Sequence, residues 1–325
     1  MATSYTIHLG TIGGGLATTR DRGQTWHLDA LPADCNVRTL ASYAGNPQRL
    51  LAGTDSGLFR SEDNGRTFAE LETPIGDREI WSLAVDPHDP ETLFVGSQPE
   101  AFRSKDGGQS WDVLEIPVTN PCPVGVPRIT NIIVDPRDAN TIWAGIEVDG
   151  VYRSRDRGDT WSQLTALGED PMHGDVHGMA LRLGDEPALF CSTPYGICTS
   201  TDEGQSWSRH EFPKFNEDDE WSYCRGMLVK ADDPGVMFVG NGDTIPGVTG
   251  AIRRTTDGGR TWGTVDLPVV PNSVVFWLAT HAEVPDIIVA ISVHGYVYLS
   301  EDGGDTWEKL AREFAETRAV LVTPQ

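Results

Sequence analysis

The eight residues Ser154-Arg-Asp156-Arg-Gly158-Asp-Thr160-Trp161 decide the fold, because their pattern recurs seven times along the 325-residue chain. The pattern reads Ser/Thr-x-Asp-x-Gly-x-Ser/Thr-Trp/Phe, and we call each copy a box turn. Successive box aspartates lie 42, 43, 50, 46, 55 and 45 residues apart, which is a period typical of repeat architectures. The box aspartates are Asp21, Asp63, Asp106, Asp156, Asp202, Asp257 and Asp302.

Each box turn is flanked by short segments with strand character. Gly150–Ser154 precedes the fourth copy, and Thr160–Leu164 follows it. Gly158 supplies a positive φ in the turn, while the aspartate accepts hydrogen bonds from nearby backbone N–H groups. The aromatic residue that ends the motif buries a large surface against the adjoining sheet. Seven equivalent aspartates serve a fold rather than one reaction, so we do not expect them to be catalytic.

Two further strands recur in every repeat, an inner strand and a second strand. Four short strands in about 45 residues are typical of a β-propeller blade. The chain starts at a second strand, Tyr5–Leu9, and ends on an inner strand, Arg318–Val322. We therefore predict an all-β, seven-bladed propeller that forms a single domain over residues 1–325, with the C-terminal strand completing the N-terminal blade. The inner strands begin Val37-Arg38, Ile80-Trp81, Ile129-Thr130, Val176-His177, Cys224-Arg225, Val275-Phe276 and Thr317-Arg318.

The composition excludes several classes of function. The formal net charge of −23 argues against binding nucleic acid, which needs clustered lysine and arginine, and against binding anionic membranes. No run of 18 apolar residues could span a bilayer, and the N-terminus has no signal-peptide pattern, so we expect a cytoplasmic protein. The five cysteines contain no CxxC pair, which predicts reduced thiols in strands, although Cys191 and Cys198 could face each other across a hairpin.

The candidate site lies at the axis of the ring, on the face opposite the box turns. The second residue of each inner strand should reach the mouth of the axial channel, and the loops on this face vary most between repeats. The channel set is Arg38, Trp81, Thr130, His177, Arg225, Phe276 and Arg318. Two positions earlier, with the same side-chain parity, lie Asn36, Glu79, Arg128, Asp175, Tyr223, Val274 and Glu316. Neighbouring loops add Arg78, Glu147, Asp149, His173, Tyr195, Glu220, Trp221, Asn241, Asp243 and His294.

Arginine is unexpectedly frequent in this set for so acidic a chain. Arg38, Arg78, Arg128, Arg225 and Arg318 could grip a carboxylate or phosphate, because the guanidinium fork matches such groups. Alternatively, they pair with Glu79, Asp175, Glu220 and Glu316 and line a water-filled channel. We expect a ligand that is anionic or sugar-like, and Trp81 and Phe276 belong to the same predicted binding set.

The sharpest local cluster is His173-Gly-Asp175-Val-His177. On an extended strand its three polar side chains would point the same way. With His294, the histidines could hold a divalent metal ion such as Zn²⁺, Mn²⁺ or Fe²⁺. They could equally supply a general base with an orienting aspartate, with Glu79 as a further proton-transfer group.

The box turns make the chain resemble the Asp-box (bacterial neuraminidase repeat) propellers along nearly its whole length. That group includes sialidases, xyloglucan-type glucanases, sortilin-like receptors and photosystem II assembly factors. Likeness to sialidases implies a carboxylate-binding triad of Arg38, Arg225 and Arg318 and a nucleophilic Tyr223, but Val126-Pro-Arg-Ile129 departs from the sialidase motif Phe/Tyr-Arg-Ile-Pro.

Two functions follow from the residues and the resemblance. The first is a small-molecule binder or a hydrolase or lyase acting in the axial pocket. The second is a non-catalytic propeller that binds a partner protein through its loops.

Overall fold

The structure is a computed structural model, and it describes residues 4–28, 30–32, 34–76, 78–119 and 125–325. Its strands form seven antiparallel sheets, which we number as blades 1 to 7 in chain order. The predicted seven-bladed propeller is therefore confirmed. Cys122 and the centre of the predicted loop Glu115–Arg128 lie outside the described residues.

Blades 2 to 7 each contain four consecutive strands, and blade 1 is assembled from both ends of the chain. Blade 1 contains β27 (Glu316–Pro324), β1 (Tyr5–Ile12) and β2 (Leu16–Thr19). Blade 2 contains β3 (Val37–Tyr43), β4 (Asn46–Thr54), β5 (Leu58–Ser61) and β6 (Ala69–Leu71). Blade 3 contains β7 (Ser82–Val85), β8 (Leu93–Gly96), β9 (Ala101–Ser104) and β10 (Asp112–Leu114). Blade 4 contains β11 (Ile129–Val134), β12 (Ile142–Ile146), β13 (Gly150–Ser154) and β14 (Ser162–Gln163).

The remaining three blades follow the same order. Blade 5 contains β15 (Gly178–Arg182), β16 (Ala188–Thr193), β17 (Gly196–Ser200) and β18 (Ser208–His210). Blade 6 contains β19 (Tyr223–Val229), β20 (Met237–Gly242), β21 (Gly250–Thr255) and β22 (Gly263–Thr264). Blade 7 contains β23 (Val275–His281), β24 (Val284–Ser292), β25 (Val297–Ser300) and β26 (Glu308–Lys309). A 3-10 turn, Pro171–Gly174, precedes blade 5.

The ring closes as the sequence predicts. The C-terminal strand β27 pairs with β1 over eight residue pairs, from Tyr5 opposite Pro324 to Ile12 opposite Glu316. The outermost strand of blade 1 is reduced to one bridge between Thr18 and His27. The innermost strand of this blade therefore comes from the C-terminus, and no strand edge is left open at the junction.

The hydrophobic core lies between neighbouring blades. One cluster joins Phe94 and Leu114 of blade 3 to Ile142 and Tyr152 of blade 4. Another joins blade 7 to blade 1 at the closure. Each interface buries fully enclosed aliphatic and aromatic side chains, so every blade is stabilised by the two beside it.

The box turns hold their predicted geometry, as the fourth copy illustrates. The Asp156 carboxylate accepts hydrogen bonds from the Ser154 hydroxyl at 2.7 Å, from the Thr160 N–H at 2.8 Å and from the Thr160 hydroxyl at 2.6 Å. Gly158 has φ +94°, a left-handed conformation that costs glycine nothing. The Trp161 indole donates to the Gly158 carbonyl at 3.0 Å, and its ring packs on the core.

Arginines on the third strands tie each blade to the next box turn. Arg103 of β9 donates to the Arg157 carbonyl at 2.6 Å, and Arg60 of β5 donates to the Gly107 carbonyl at 2.8 Å. Arg254 of β21 reaches the Gly304 carbonyl at 3.2 Å. The box turns thus serve the contacts between blades, on the face away from the candidate site.

Candidate functional site

The axial cavity is lined by the second residue of every inner strand. Its volume is about 210 Å³, and all seven residues of the predicted channel set border it. They are Arg38, Trp81, Thr130, His177, Arg225, Phe276 and Arg318. The repeat pattern alone therefore brings together side chains that are up to 280 residues apart, since the cavity spans Arg38 to Arg318. Whether these residues bind a ligand stays a prediction.

A β-bulge explains why the second residue points into the channel. Strand register shifts at this position in five blades, as when Val37 pairs with Thr54 but Thr39 pairs with Gly53. Blades 3 and 5 show an equivalent hydrogen bond. The Trp81 N–H donates to the carbonyl of Gly96, which is the strand partner of Ser82. The His177 N–H donates to the carbonyl of Ser192, which is the strand partner of Gly178. A bulge re-aims one side chain and interrupts the strict alternation of a strand. Simple alternation along the inner strand therefore does not by itself direct these side chains into the channel.

Five of the residues two positions earlier contact members of the cavity lining and form a second row behind it: Glu79, Arg128, Asp175, Tyr223 and Glu316. Glu79 bonds the Arg38 guanidinium, and the Glu316 carboxylate accepts from Arg318 Nε at 2.6 Å. In the same way, Arg128 donates to Glu147 at 2.8 Å. The alternative that the arginines pair with acids is therefore correct in part, with Glu147 in a role that we had not assigned to it.

Two aromatic rings each contact two of the arginines. The Cζ atoms of Arg38 and Arg128 lie 4.8 and 4.4 Å from the centroid of the Trp81 ring. Those of Arg225 and Arg318 lie 4.5 and 4.8 Å from the centroid of Phe276. These cation–π contacts hold the planar guanidiniums in fixed orientations around the cavity.

Arg225 differs from the other arginines of the cavity. Within the described parts of the chain, no carboxylate lies within ion-pairing distance of it, whereas Arg38 and Arg318 each have one. Burial lowers the pKa of Arg318 despite the opposing charge of Glu316, and the charges of Arg225 and Arg38 add to that lowering. Three guanidiniums thus repel one another across the cavity, and an anion among them would relieve that repulsion.

His177 is the most constrained side chain at the site. Its Nδ1 lies 2.7 Å from the Cys224 carbonyl oxygen, and its Nε2 lies 3.0 Å from Asp175 Oδ2 and 3.1 Å from the Tyr223 hydroxyl. A carbonyl and a carboxylate both require a donor, so both ring nitrogens carry protons when Asp175 is ionised. His177 then has no nitrogen free to take a proton from a ligand.

The pKa shifts around His177 follow from burial and charge. Burial acts to raise the pKa of Asp175, but the charge and hydrogen bond of His177, together with the charge of Arg225, outweigh it, and the net pKa is lowered. Burial raises the pKa of Tyr223. Burial also raises the pKa of Glu147, against the opposing charge of Arg128.

Unsatisfied polar atoms concentrate at this site. Twelve buried side-chain polar atoms of the described residues lack a hydrogen-bond partner, and five of them belong here. The five are Arg38 Nε, Trp81 Nε1, Arg128 Nε, Arg225 Nε and Asp175 Oδ1. Buried polar groups are nearly always paired in folded proteins, so these five atoms are available to a ligand or to water.

His173 does not join the site. Asp170 and Pro171 start the 3-10 turn Pro171–Gly174, which breaks the extended alternation that we predicted. The His173 ring instead contacts Tyr195, at 4.6 Å between centroids, and Arg209 of the outermost strand of blade 5. The prediction that His173 lines the pocket beside His177 is therefore wrong.

Three other predicted residues also lie away from the cavity. Asp243 accepts from the N–H groups of Thr244 and Val248 and so closes its own loop. Arg78 bonds the Ile75 carbonyl and Glu100, and His294 is exposed on the loop between β24 and β25. These positions come from loops that do not repeat, where the blade pattern gives no guidance.

The metal site that His173, His177 and His294 could have provided is not formed, because His173 and His294 lie away from His177. Across the described ranges, no three His, Cys, Asp or Glu residues are arranged to hold a metal ion.

Of the cysteines in those ranges, Cys191 and Cys198 are opposite each other in β16 and β17, and both are free thiols. No helix among the described residues has the length and apolarity needed to cross a membrane.

A layer of apolar residues that the sequence analysis did not assign lies below the polar ring. Residues two positions after the channel set line the deeper part of the cavity in five blades. They are Leu40, Leu83, Ile132, Met179 and Val320. The signal was present in the sequence, because this position is apolar in all seven inner strands.

Solved structures similar to this one share the fold at low sequence identity. A GH74 xyloglucanase from Xanthomonas campestris matches with a TM-score of 0.71 and 18% identity over 98% of this chain and 52% of its own. A GH74 enzyme from Niastella koreensis matches with a TM-score of 0.64, 14% identity and coverages of 97% and 66%. This chain spans about half of the first enzyme and two thirds of the second, so their activities are not carried over.

YCF48 is a third neighbour. The YCF48 structure from Cyanidioschyzon merolae matches with a TM-score of 0.62 and 14% identity over 88% of this chain and 89% of its own. A structure of YCF48 bound to D1 peptide matches with a TM-score of 0.58 and 18% identity over 87% and 83%. The neighbours therefore include both hydrolase and protein-binding propellers.

A comparison with curated proteins finds no match. A family model, described as sortilin, neurotensin receptor 3, matches residues 56–194 and again residues 195–320. Together these two segments cover most of the seven blades, and the chain belongs to the Sortilin-Vps10 family.

Proposed function

We propose that the protein binds a small carboxylate-bearing ligand in the axial cavity, with Arg225 as the principal anchor. The observation that carries this proposal is the absence of an acidic partner for Arg225 in the described chain, while Arg38 and Arg318 beside it are each paired. Arginine forks bind carboxylates through two parallel hydrogen bonds, and the Phe276 contact keeps the Arg225 fork oriented.

The charges around the cavity support a single negative charge on the ligand. With His177 doubly protonated, five cations face four anions in and directly behind the lining. The cations are Arg38, Arg128, Arg225, Arg318 and His177, and the anions are Glu79, Glu147, Asp175 and Glu316. One monoanion would leave the site neutral, which lowers the cost of burying its charge.

The state of the ionisable groups favours binding over acid–base catalysis. Each of the four carboxylates contacts a cation, and both nitrogens of His177 are occupied. A general base needs a nitrogen or oxygen free to accept the proton of a substrate, and His177 has none. Asp175 Oδ1 has no partner, but the lowered pKa of this carboxylate makes it a weak base. The roles that we predicted for His177, Asp175, Glu79 and Tyr223 are therefore assigned to shaping the site.

Glu147 keeps a hydrolase as the second candidate. Its raised pKa is the feature expected of a general acid, and GH74 enzymes are among the fold neighbours. Turnover of a glycoside that is lost in Glu147→Gln and kept in an exposed variant such as Arg66→Met would favour catalysis.

A row of aromatic rings supports a protein or peptide partner as a further candidate. The ring centroids of Tyr195 and Trp221 are 5.9 Å apart, and those of Trp221 and Tyr223 are 6.1 Å apart. The row leads from the outer loops to His177, on the side of the ring that carries the cavity. YCF48, a propeller of similar fold, has been solved bound to a peptide.

Isothermal titration with acetate and butanoate tests the proposal. Binding should weaken at least tenfold in Arg225→Met, because the variant keeps the length of the side chain and removes its fork. Arg66→Met, on an exposed box turn, is the matched control and should bind like the unmodified protein. Equal affinity in Arg225→Met and the control would contradict the proposal.

A further inference from the structure

We infer that the ligand is an aliphatic monocarboxylic acid, with its carboxylate at Arg225 and its hydrocarbon tail pointing down the axial channel. This inference rests on the proposed function and adds the chemistry of the rest of the ligand. Its basis is the layered lining of the cavity, in which a polar ring lies above an apolar one.

The two layers follow from the bulges of the inner strands. Each inner strand enters from the face opposite the box turns, and its bulged second residue lies at the channel mouth. The apolar layer, two residues further along, is Leu40, Leu83, Ile132, Met179 and Val320. No charged side chain belongs to this lower part of the lining. The residues between the two layers that also line the cavity, Thr39, Ser82 and Asn131, are polar but uncharged. A ligand that reaches below its carboxylate therefore meets hydrocarbon and neutral polar groups, and no charged side chain.

Two of these apolar side chains are available for contact. Leu40 and Leu83 are only half-buried, although they lie on the innermost strands of their blades. Core residues on such strands are normally enclosed, and here the open side of each leucine faces the cavity. Hydrocarbon from a ligand would cover this surface and gain the free energy of burial.

Size and charge restrict the ligand further. A cavity of about 210 Å³ is smaller than the roughly 300–1,000 Å³ of sites for drug-sized molecules, so only a short chain fits. A second carboxylate on the tail would be placed in the apolar layer without a partner. Burying such a charge is strongly unfavourable, which excludes dicarboxylates of the same length.

A chain-length series on the full-length protein tests the inference by isothermal titration. Acetate, butanoate and hexanoate should bind with increasing affinity, by about fourfold per methylene while the tail remains within the apolar layer. Adipate, which has the length of hexanoate and a second carboxylate, should bind at least tenfold more weakly than hexanoate. Hexan-1-ol, which lacks the charge, should also bind more weakly.

The outcomes separate this inference from the proposed function. Equal affinities for acetate, hexanoate and adipate would overturn the aliphatic tail and leave anion binding in place. Absence of binding by every acid would overturn both. In Leu83→Ser the ratio of hexanoate to acetate affinity should fall, whereas Met179→Leu, which conserves volume, should keep it. If Leu83→Ser fails to fold, the chain-length series on the unmodified protein still tests the inference.

Discussion

The side-chain oxygen of Asn64 accepts a hydrogen bond of 2.7 Å from the hydroxyl of Thr323, which lies 259 residues further along the chain. This contact joins the box turn of blade 2 to the strand that closes blade 1. His8 Nε2 lies 3.1 Å from the same two oxygens, and all three side chains are fully or almost fully buried. The ring closure is therefore fixed by a buried polar network as well as by strand pairing.

The Thr323 hydroxyl should contribute measurably to stability. Thr323→Val keeps the shape and removes the donor, leaving buried acceptors unsatisfied, and should cost about 1–3 kcal/mol of unfolding free energy. Urea denaturation measures the change. Thr323→Ser retains the hydroxyl and should cost less than the valine variant. A valine variant as stable as the unmodified protein would show that the network is dispensable.

Removal of residues 315–325 should abolish cooperative unfolding. The deletion takes away β27, the innermost strand of blade 1, and exposes both β1 and the adjoining core of blade 7. Scanning calorimetry should find no sharp transition. Deletion of Gln325 alone is the control and should leave the transition in place. A truncated chain that melts like the full one would contradict closure by the C-terminal strand.

His8 should make the fold sensitive to mild acid. Burial lowers the pKa of His8 to about 3, while the unfolded chain titrates near 6.5. Between these values the unfolded state binds more protons, so stability rises with pH and is lost as pH falls from 6.5 toward 3. His210 and His281 have lowered pKa values for the same reason and act in the same direction.

A variant isolates the contribution of His8. His8→Asn should be less stable at neutral pH, and its melting temperature should fall less than that of the unmodified protein between pH 6.5 and pH 4.5. The box aspartates titrate lower, with pKa values near 2 for Asp63 and Asp156, and do not interfere in this window. Parallel curves for the two proteins would remove His8 as the cause.

Gly304 should tolerate no side chain. Its φ is +92°, and an added Cβ would lie within 2.3 Å of the Phe238 ring in the preceding blade. Gly304→Ala should therefore lower stability by about 2–4 kcal/mol, combining left-handed strain with overpacking. Gly263→Ala meets only the Arg254 carbonyl at 4.0 Å and should be nearly neutral in the same thermal or urea unfolding experiment.

The parts of the molecule that repeat could be predicted from the sequence. Box turns at a regular period give the blade count, and chain ends such as Tyr5 and Val322 give the closure. Trp81 and Arg225 could be assigned to the channel because equivalent positions in all seven repeats must surround one axis. The bulge that turns these side chains inward has no residue signature of its own, so the sequence predicts which residues reach the channel but not the backbone geometry that directs them there.

The parts that do not repeat could not be predicted. His173 was expected on an extended strand, but its neighbours form a 3-10 turn that directs the ring toward Arg209. Asp243 folds its own loop, because local N–H donors compete for its carboxylate. The partner of Arg128 proved to be Glu147, a contact that depends on loop geometry between two strands of blade 4.

The most direct test of the account is a crystal structure of the protein soaked with 6-bromohexanoate, using the anomalous signal of bromine to locate the tail. We expect the carboxylate on the Arg225 guanidinium and one bromine peak in the axial channel beside Leu83 and Met179. A channel without a bromine peak, or a peak at the mouth with the carboxylate turned away from Arg225, would contradict the account.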